Sequence, residues 1–190
     1  MEDKFISKIN EYKTKAQGDI YTGFTIKEEL YEFMRVKLFE DKMSVMLPIV
    51  FTDMDDAFKR KKYPNENRPQ VIKTSFDGSV NFTFSLFEVD MNEQILEPVK
   101  REIMGALRKI QPSTMFFDSG EESIGNSKIS WFDFKSFALD DTIYNFTAIG
   151  IIGGKYLHCM FNCRFKDMEL WKEAMKQVAK SIIDETEGKE

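Results

Sequence analysis

Two consecutive glycines constrain this chain more than any other feature. Gly153-Gly154 separates two runs, residues 142–152 and 155–165, that are rich in aromatic and β-branched residues. A two-residue loop of this composition reads as a hairpin turn. It pairs Ile152 with Lys155, and counting outward puts Phe146 opposite Phe161, Ala148 opposite Cys159 and Tyr144 opposite Cys163. Side chains alternate across a strand, so that face, with Leu157 and Phe165, is a core face. The other carries Ile143, Ile149, Ile151, Tyr156 and Met160 mixed with Asn145, Thr147, His158 and Asn162, and is expected to be partly covered. A helix follows from Asp167, which suits an N-cap, and Leu170, Trp171, Ala174, Met175, Val178 and Ile182 line one side of it.

The rest of the chain reads outward from this unit. In residues 1–30, Phe5, Ile6, Ile9 and Tyr12 recur at helical spacing, and Thr25-Ile26-Lys27-Glu28 has the pattern of a capping box. This segment is expected to form an N-terminal helical arm, with a single domain over 31–190. Residues 31–39 and 43–47 alternate as two strands around a turn at Glu40-Asp41-Lys42, and Pro48 ends the second. A short helix is expected over Asp53 to Lys62, acidic early and basic late. Two strands follow, joined by Asp77-Gly78 in a type I′ turn. In the second of them Val80, Phe82, Phe84 and Leu86 face one way and Asn81, Thr83 and Ser85 the other. A helix over 92–110 carries an apolar stripe, with Pro98 as its first helical position and Ile95 and Leu96 as lead-in. Three strands come next: Met115 to Ile124, Lys128 to Leu139 after a Gly125-Asn126 turn, and Thr142 to Ile152. Counting across Asp140-Asp141 puts Asp133 and Lys135 on the core face, so a bulge or longer loop is expected there.

With this element order in view, the chain resembles the PsbP-like fold family, which includes the Mog-type Ran-binding factors and several bacterial proteins. The landmarks are Met46-Leu47-Pro48 with the short helix after it, the strand Val80 to Leu86 before the long helix, and the diglycine hairpin leading to Trp171 and Ile182-Ile183. The resemblance covers about residues 31 to 183. It implies an α+β fold, an antiparallel sheet of about six to eight strands sandwiched by helices. It implies protein binding or assembly rather than catalysis, and it carries over no site residue.

The residues themselves hold little chemistry. A net charge of -5 argues against nucleic acid, whose phosphates call for a basic face. No apolar run approaches the ~20 residues of a membrane span, and the start, Met1-Glu2-Asp3-Lys4, lacks the pattern of a signal peptide, so the expected location is cytoplasmic. No nucleophile elbow, P-loop or dinucleotide fingerprint occurs, and no catalytic residue or cofactor is expected. His158, Cys159 and Cys163 are the one soft-ligand cluster, but His158 points away from Cys159, and the cysteines lie about 13 Å apart at ~3.3 Å per residue. That is too far for one zinc or a disulfide.

Two functions remain. The first is a non-enzymatic protein-binding module, whether adaptor, assembly factor or immunity-type partner, acting on an unknown protein. Its expected contact surface is Lys62, Tyr63, Pro64, Arg68 and Pro69, with Phe51 nearby: a tyrosine, cations and rigid prolines on a loop suit recognition. The second is a small-ligand binder or unrecognised enzyme with an aromatic pocket between sheet and helix, built from Phe132, Phe134, Phe146 and Phe161.

Overall fold

The structure, a computed structural model, describes residues 17–124, 127–138 and 140–186. The strands in chain order are β1 (Gln17–Asp19), β2 (Gly23–Ile26), β3 (Glu29–Tyr31), β4 (Phe33–Leu38), β5 (Met43–Pro48) and β6 (Thr52–Asp53). Then come helix α1 (Asp56–Lys62), β7 (Val71–Thr74), β8 (Asn81–Asp90) and helix α2 (Glu93–Ile110). The chain closes with β9 (Met115–Ile124), β10 (Ser127–Phe137), β11 (Thr142–Ile152), β12 (Lys155–Arg164), helix α3 (Met168–Lys180) and β13 (Ile183–Asp184).

Gly153 and Gly154 take φ of +55° and +74°, the paired left-handed conformation of a type I′ turn, which glycine adopts without a Cβ clash. β11 and β12 therefore pair as counted, Ile152 with Lys155 through Phe146 with Phe161 to Tyr144 with Cys163. They form the middle of a seven-stranded antiparallel sheet ordered β6-β7-β8-β12-β11-β10-β9. α3 lies on one face with two smaller sheets, β1-β2-β3 and β13-β5-β4, and α2 packs over β10 and β11 on the other. The fold is α+β, as expected. No helix among the described residues is long and apolar enough to cross a membrane.

The core sits on the α3 face. Phe82, Phe84, Phe146 and Phe161 are buried there against Trp171, Ala174, Met175 and Val178 of α3 and Val45 and Leu47 of β5. Phe51 is also part of this core, its ring 5.5 Å from Phe82 and 5.8 Å from Trp171. It does not lie on the loop surface where it was expected to help.

Several local expectations give way to tertiary structure. Residues 17–31 form a three-stranded meander, with Ile20, Phe24 and Ile26 buried in the main core. Thr25-Ile26-Lys27-Glu28 is strand and turn, with Lys27 and Glu28 at positive φ, not a capping box. The boundary expected at residue 30 falls inside this meander; the helix expected over Phe5 to Tyr12 lies outside the described residues, as does the Gly125-Asn126 turn. Asp167 makes no side-chain cap on α3; its carboxylate meets Lys27 Nζ at 2.6 Å and ties the meander to the helix. α2 begins at Glu93 with Asn92 as its cap, so Pro98 lies inside the helix and Leu96 is a fully buried helical residue. Between β7 and β8, Thr74 pairs with Asn81 and only Gly78 has positive φ, so the link is a longer loop and not a type I′ turn.

β10 meets β11 without a bulge. Phe137 pairs with Thr142, so the loop is longer than two residues, as one expectation had it. An even lengthening leaves the faces unchanged: Asp133 pairs with Phe146 and does lie on the core face. The bulge occurs on the other side of β10, where Ser119 pairs with Phe132 but Phe116 with Phe134. Phe132 and Phe134 consequently face α2, while Phe146 and Phe161 face α3. A single pocket lined by all four rings is excluded by the pleat.

Candidate functional site

The α2 face of the sheet is polar where it approaches β7 and β8. Thr74, Asn81, Thr83, Ser85, Asn145, Thr147 and Asn162 are all buried there, because they occupy the alternate positions to the core phenylalanines. A buried amide is tolerated only when it is bonded; the three asparagines, with Thr74, are the rungs of a hydrogen-bonded ladder, while the Thr147 hydroxyl has no partner among the described residues. Thr74 Oγ1 donates to Asn81 Oδ1 at 2.8 Å, and Asn81 Nδ2 donates to Asn162 Oδ1 at 3.0 Å and to the Gly78 carbonyl at 3.3 Å. Asn145 Nδ2 donates to Ser136 Oγ at 2.9 Å, and Thr83 Oγ1 to the Met160 carbonyl at 2.8 Å.

The loop expected to bind a partner lies against this ladder. Asp55 caps α1 by accepting from the amides of Ala57 and Phe58, and Tyr63 ends the helix by donating its amide to the Lys59 carbonyl. Lys62 folds back so that its Nζ donates to the Gly78 carbonyl at 2.9 Å, which joins the loop to the β7–β8 connection. Tyr63 turns its hydroxyl inward beside Asn162, without a hydrogen bond of good geometry, and burial raises its pKa. Pro64 is exposed; Arg68 and Pro69 are half-buried, with Arg68 Nε donating to the Asn65 carbonyl at 3.1 Å. Gln70 closes the segment by pairing its side chain with both backbone groups of Leu86, each at 3.0 Å. The five expected contact residues thus share one connection, but Lys62, Pro64 and the flanks of Arg68 and Pro69 meet solvent rather than the Tyr63 hydroxyl.

Between α1 and the β7–β8 connection runs a groove of about 500 Å³, lined by residues of β6, α1 and the connection. Phe58 and Phe76 stand at it; Phe76 is fully exposed and Phe58 more than half exposed (56%). Asp77 holds the connection in shape. Its Oδ1 accepts from Ser75 Oγ at 2.7 Å, Ser79 Oγ at 2.8 Å and the Ser79 amide at 3.0 Å. Burial alone would raise the Asp77 pKa, but these bonds and the charge of Arg164 outweigh it and bring it to about 2. No sequence pattern marked this groove: Phe58 and Phe76 belong to elements far apart in the chain, and a lone exposed phenylalanine has no periodic signature.

His158 lies on the α2 face and Cys159 and Cys163 on the α3 face, as their register required. Burial pushes the Cys163 thiol up to about 12 and the Cys159 thiol further still, so neither is a thiolate at neutral pH. Among the described residues, no group of three His, Cys, Asp or Glu side chains comes close enough to hold a metal ion.

Burial pushes His158 down to about 4, from an unfolded value near 6.5. The unfolded chain therefore binds the extra proton first, and stability is full above pH ~6.5 and falls as the pH drops toward ~4. The loss should be about 2 kcal/mol once the partial exposure of the ring is discounted. His158 is the single histidine of the chain. His158→Gln is expected to remove this part of the slope in urea-unfolding free energies measured from pH 7 to 4. Parallel slopes for both proteins would contradict it.

With the geometry in hand, comparison with known proteins is informative about architecture. No protein-family model matches the chain, and no curated protein matches it in sequence. Among solved structures, cyanobacterial PsbP (CyanoP) from Synechocystis is similar at a TM-score of 0.58 and 10% identity, over 80% of this chain and 92% of that one. The Saccharomyces cerevisiae Ran-binding protein Mog1p is similar at 0.50 and 7% identity, over 81% of this chain and 96% of that one. A Bacteroides thetaiotaomicron protein is similar at 0.51 and 15% identity, over 82% of this chain and 49% of that one. At such identities the likeness is one of fold, and that fold is PsbP-like.

Proposed function

We propose, on the premise of a PsbP-like fold, that this chain is a non-enzymatic protein-binding module. The observation that carries the reading is the surface made by α1, residues 63–70 and the β7–β8 connection. There two phenylalanine rings are left to solvent on a rigid frame. Exposed aromatic side chains on pre-organised loops are the usual material of recognition surfaces. The fold resembles Mog1p, itself a Ran-binding protein, which is compatible with a partner-binding role as adaptor, assembly factor or immunity-type partner. Lys62, Tyr63, Pro64, Arg68 and Pro69 form the contact edge in this reading.

The test is a crosslinking pull-down with the wild-type chain and a Tyr63→Ala/Arg68→Ala double variant, each checked for fold by circular dichroism. The expected result is a partner retained by wild type and weakened at least tenfold by the double variant. A variant that keeps every partner at wild-type affinity would remove this edge from the interface.

A further inference from the structure

The groove beside the proposed contact edge has a chemistry of its own. Its walls carry Phe58 and Phe76 together with the carboxylates of Asp53, Asp55 and Asp77, and no lysine, arginine or histidine lines it. Each carboxylate has a partner within the chain. Asp53 meets Lys73 Nζ at 2.9 Å, Asp55 accepts two α1 amides, and Asp77 accepts from Ser75 and Ser79. These bonds hold the oxygens in place without covering them all: the Asp53 side chain remains 71% exposed. Lys73 offsets Asp53, and Lys62, bonded to the Gly78 carbonyl, and Arg164 act on Asp77, so the groove presents exposed carboxylate oxygens, with their cations set behind the lining, beside two solvent-facing rings.

Resting on the protein-binding reading, we propose that this groove receives a segment of a partner protein in which an apolar side chain is flanked by lysine or arginine. The apolar side chain enters between Phe58 and Phe76, where it removes two aromatic surfaces from water. The cation lies toward Asp53 and Asp77 and over a ring face, where carboxylate attraction and the ring quadrupole act in the same direction. Charge complementarity selects this occupant over an acidic or a wholly apolar one. An acidic segment would meet a lining that offers carboxylate oxygens and no cation, and a wholly apolar one would leave those oxygens beside dry surface. Phe76 fits a contact role because the chain spends a hydrogen-bonded loop, with Asp77 at its centre, on a ring that touches none of its own core.

The experiment is selection of a random twelve-residue peptide library against the immobilised full chain. Fluorescence anisotropy then follows one selected peptide at 50 and 300 mM NaCl. Peptides with Lys or Arg next to Leu, Phe, Met or Trp should be enriched, and their binding should weaken with salt. Phe76→Ala should weaken binding at least tenfold. Asp53→Asn should weaken it about threefold and flatten the salt dependence. Phe76 is fully exposed, so its removal leaves the fold intact, which circular dichroism checks. Enrichment of acidic or wholly apolar peptides, no enrichment, or indifference to Phe76→Ala overturns the proposal. So does concentration-dependent self-association that Phe76→Ala abolishes, because the occupant would then be a second copy. If peptide or partner binding is lost in the Tyr63→Ala/Arg68→Ala variant but kept in Phe76→Ala, the groove falls and the protein-binding reading stands.

Discussion

Asp133→Ala is expected to lower the unfolding free energy by about 3–5 kcal/mol, because it leaves two buried donors unpaired at about 1–3 kcal/mol each and removes one anchor of the partly exposed Lys172. Asp133 is completely buried on the α3 face of β10. Its oxygens accept from Tyr144 Oη at 2.8 Å and from the Asp118 amide at 2.6 Å, and Lys172 Nζ of α3 lies at 2.9 Å. One carboxylate thus joins β9, β10, β11 and α3. It also accounts for the bulge in β9, since the extra residue opposite Asp133 turns the Asp118 amide toward it. Truncation leaves the Tyr144 hydroxyl, itself fully buried, without a partner, and orphans an amide inside the bulge. Burial and the Asp133 charge both push the Tyr144 pKa far above the ordinary phenol value, so Tyr144 cannot adapt by ionising. Asp133→Asn keeps the shape and part of the bonding and should cost about half as much. Urea unfolding at pH 7 decides the matter; a loss under 1 kcal/mol for Asp133→Ala would show that α3 and β9 do not depend on this junction.

The second large effect belongs to Phe161→Ala, also about 3–5 kcal/mol, as is usual for Phe→Ala in a closed core. Phe161 sits mid-strand in β12 with ring centroids of Phe82, Phe84 and Phe146 at 4.7, 5.5 and 6.1 Å. These neighbours come from the strands on both sides, so the void cannot collapse without shifting the sheet. The melting temperature should fall by roughly 8–15 °C for a chain of this size. Phe76→Ala, the same substitution on an exposed ring, should stay within about 0.5 kcal/mol of wild type. Equal effects at the two positions would mean that the ring cluster is not the centre of stability.

What could be read from the residues was what local physics governs. The diglycine turn admits one register for β11 and β12, and period-two alternation then places Phe146 and Phe161 together. The 3.6-residue stripe of α3, with Trp171, Ala174 and Val178 buried as expected, follows from the same kind of local periodicity. The turn at residues 27–28 gave no such signal. Lys27 and Glu28 take positive φ without glycine or asparagine, so the meander over 17–31 resembled a helix start. Asp77-Gly78 carried a hairpin signature, yet the Asp77 side chain bonds Ser75 and Ser79 instead and opens a longer loop.

The surface proposed as a contact edge was legible only in part. Composition pointed to residues 62–69, but the groove beside them needs Phe58 from α1 and Phe76 from the β7–β8 connection brought to one place, and only pairing of β6, β7 and β8 does that.

Periodicity and turn chemistry, which act over a few neighbouring residues, determined from the sequence alone that this chain has a β hairpin backed by an amphipathic helix. Which way β10 faces was decided only by tertiary structure. Burying Asp133 is unfavourable until Tyr144, the Asp118 amide and Lys172 arrive from three other elements. The interaction that reverses the cost does not exist within any one stretch of the chain.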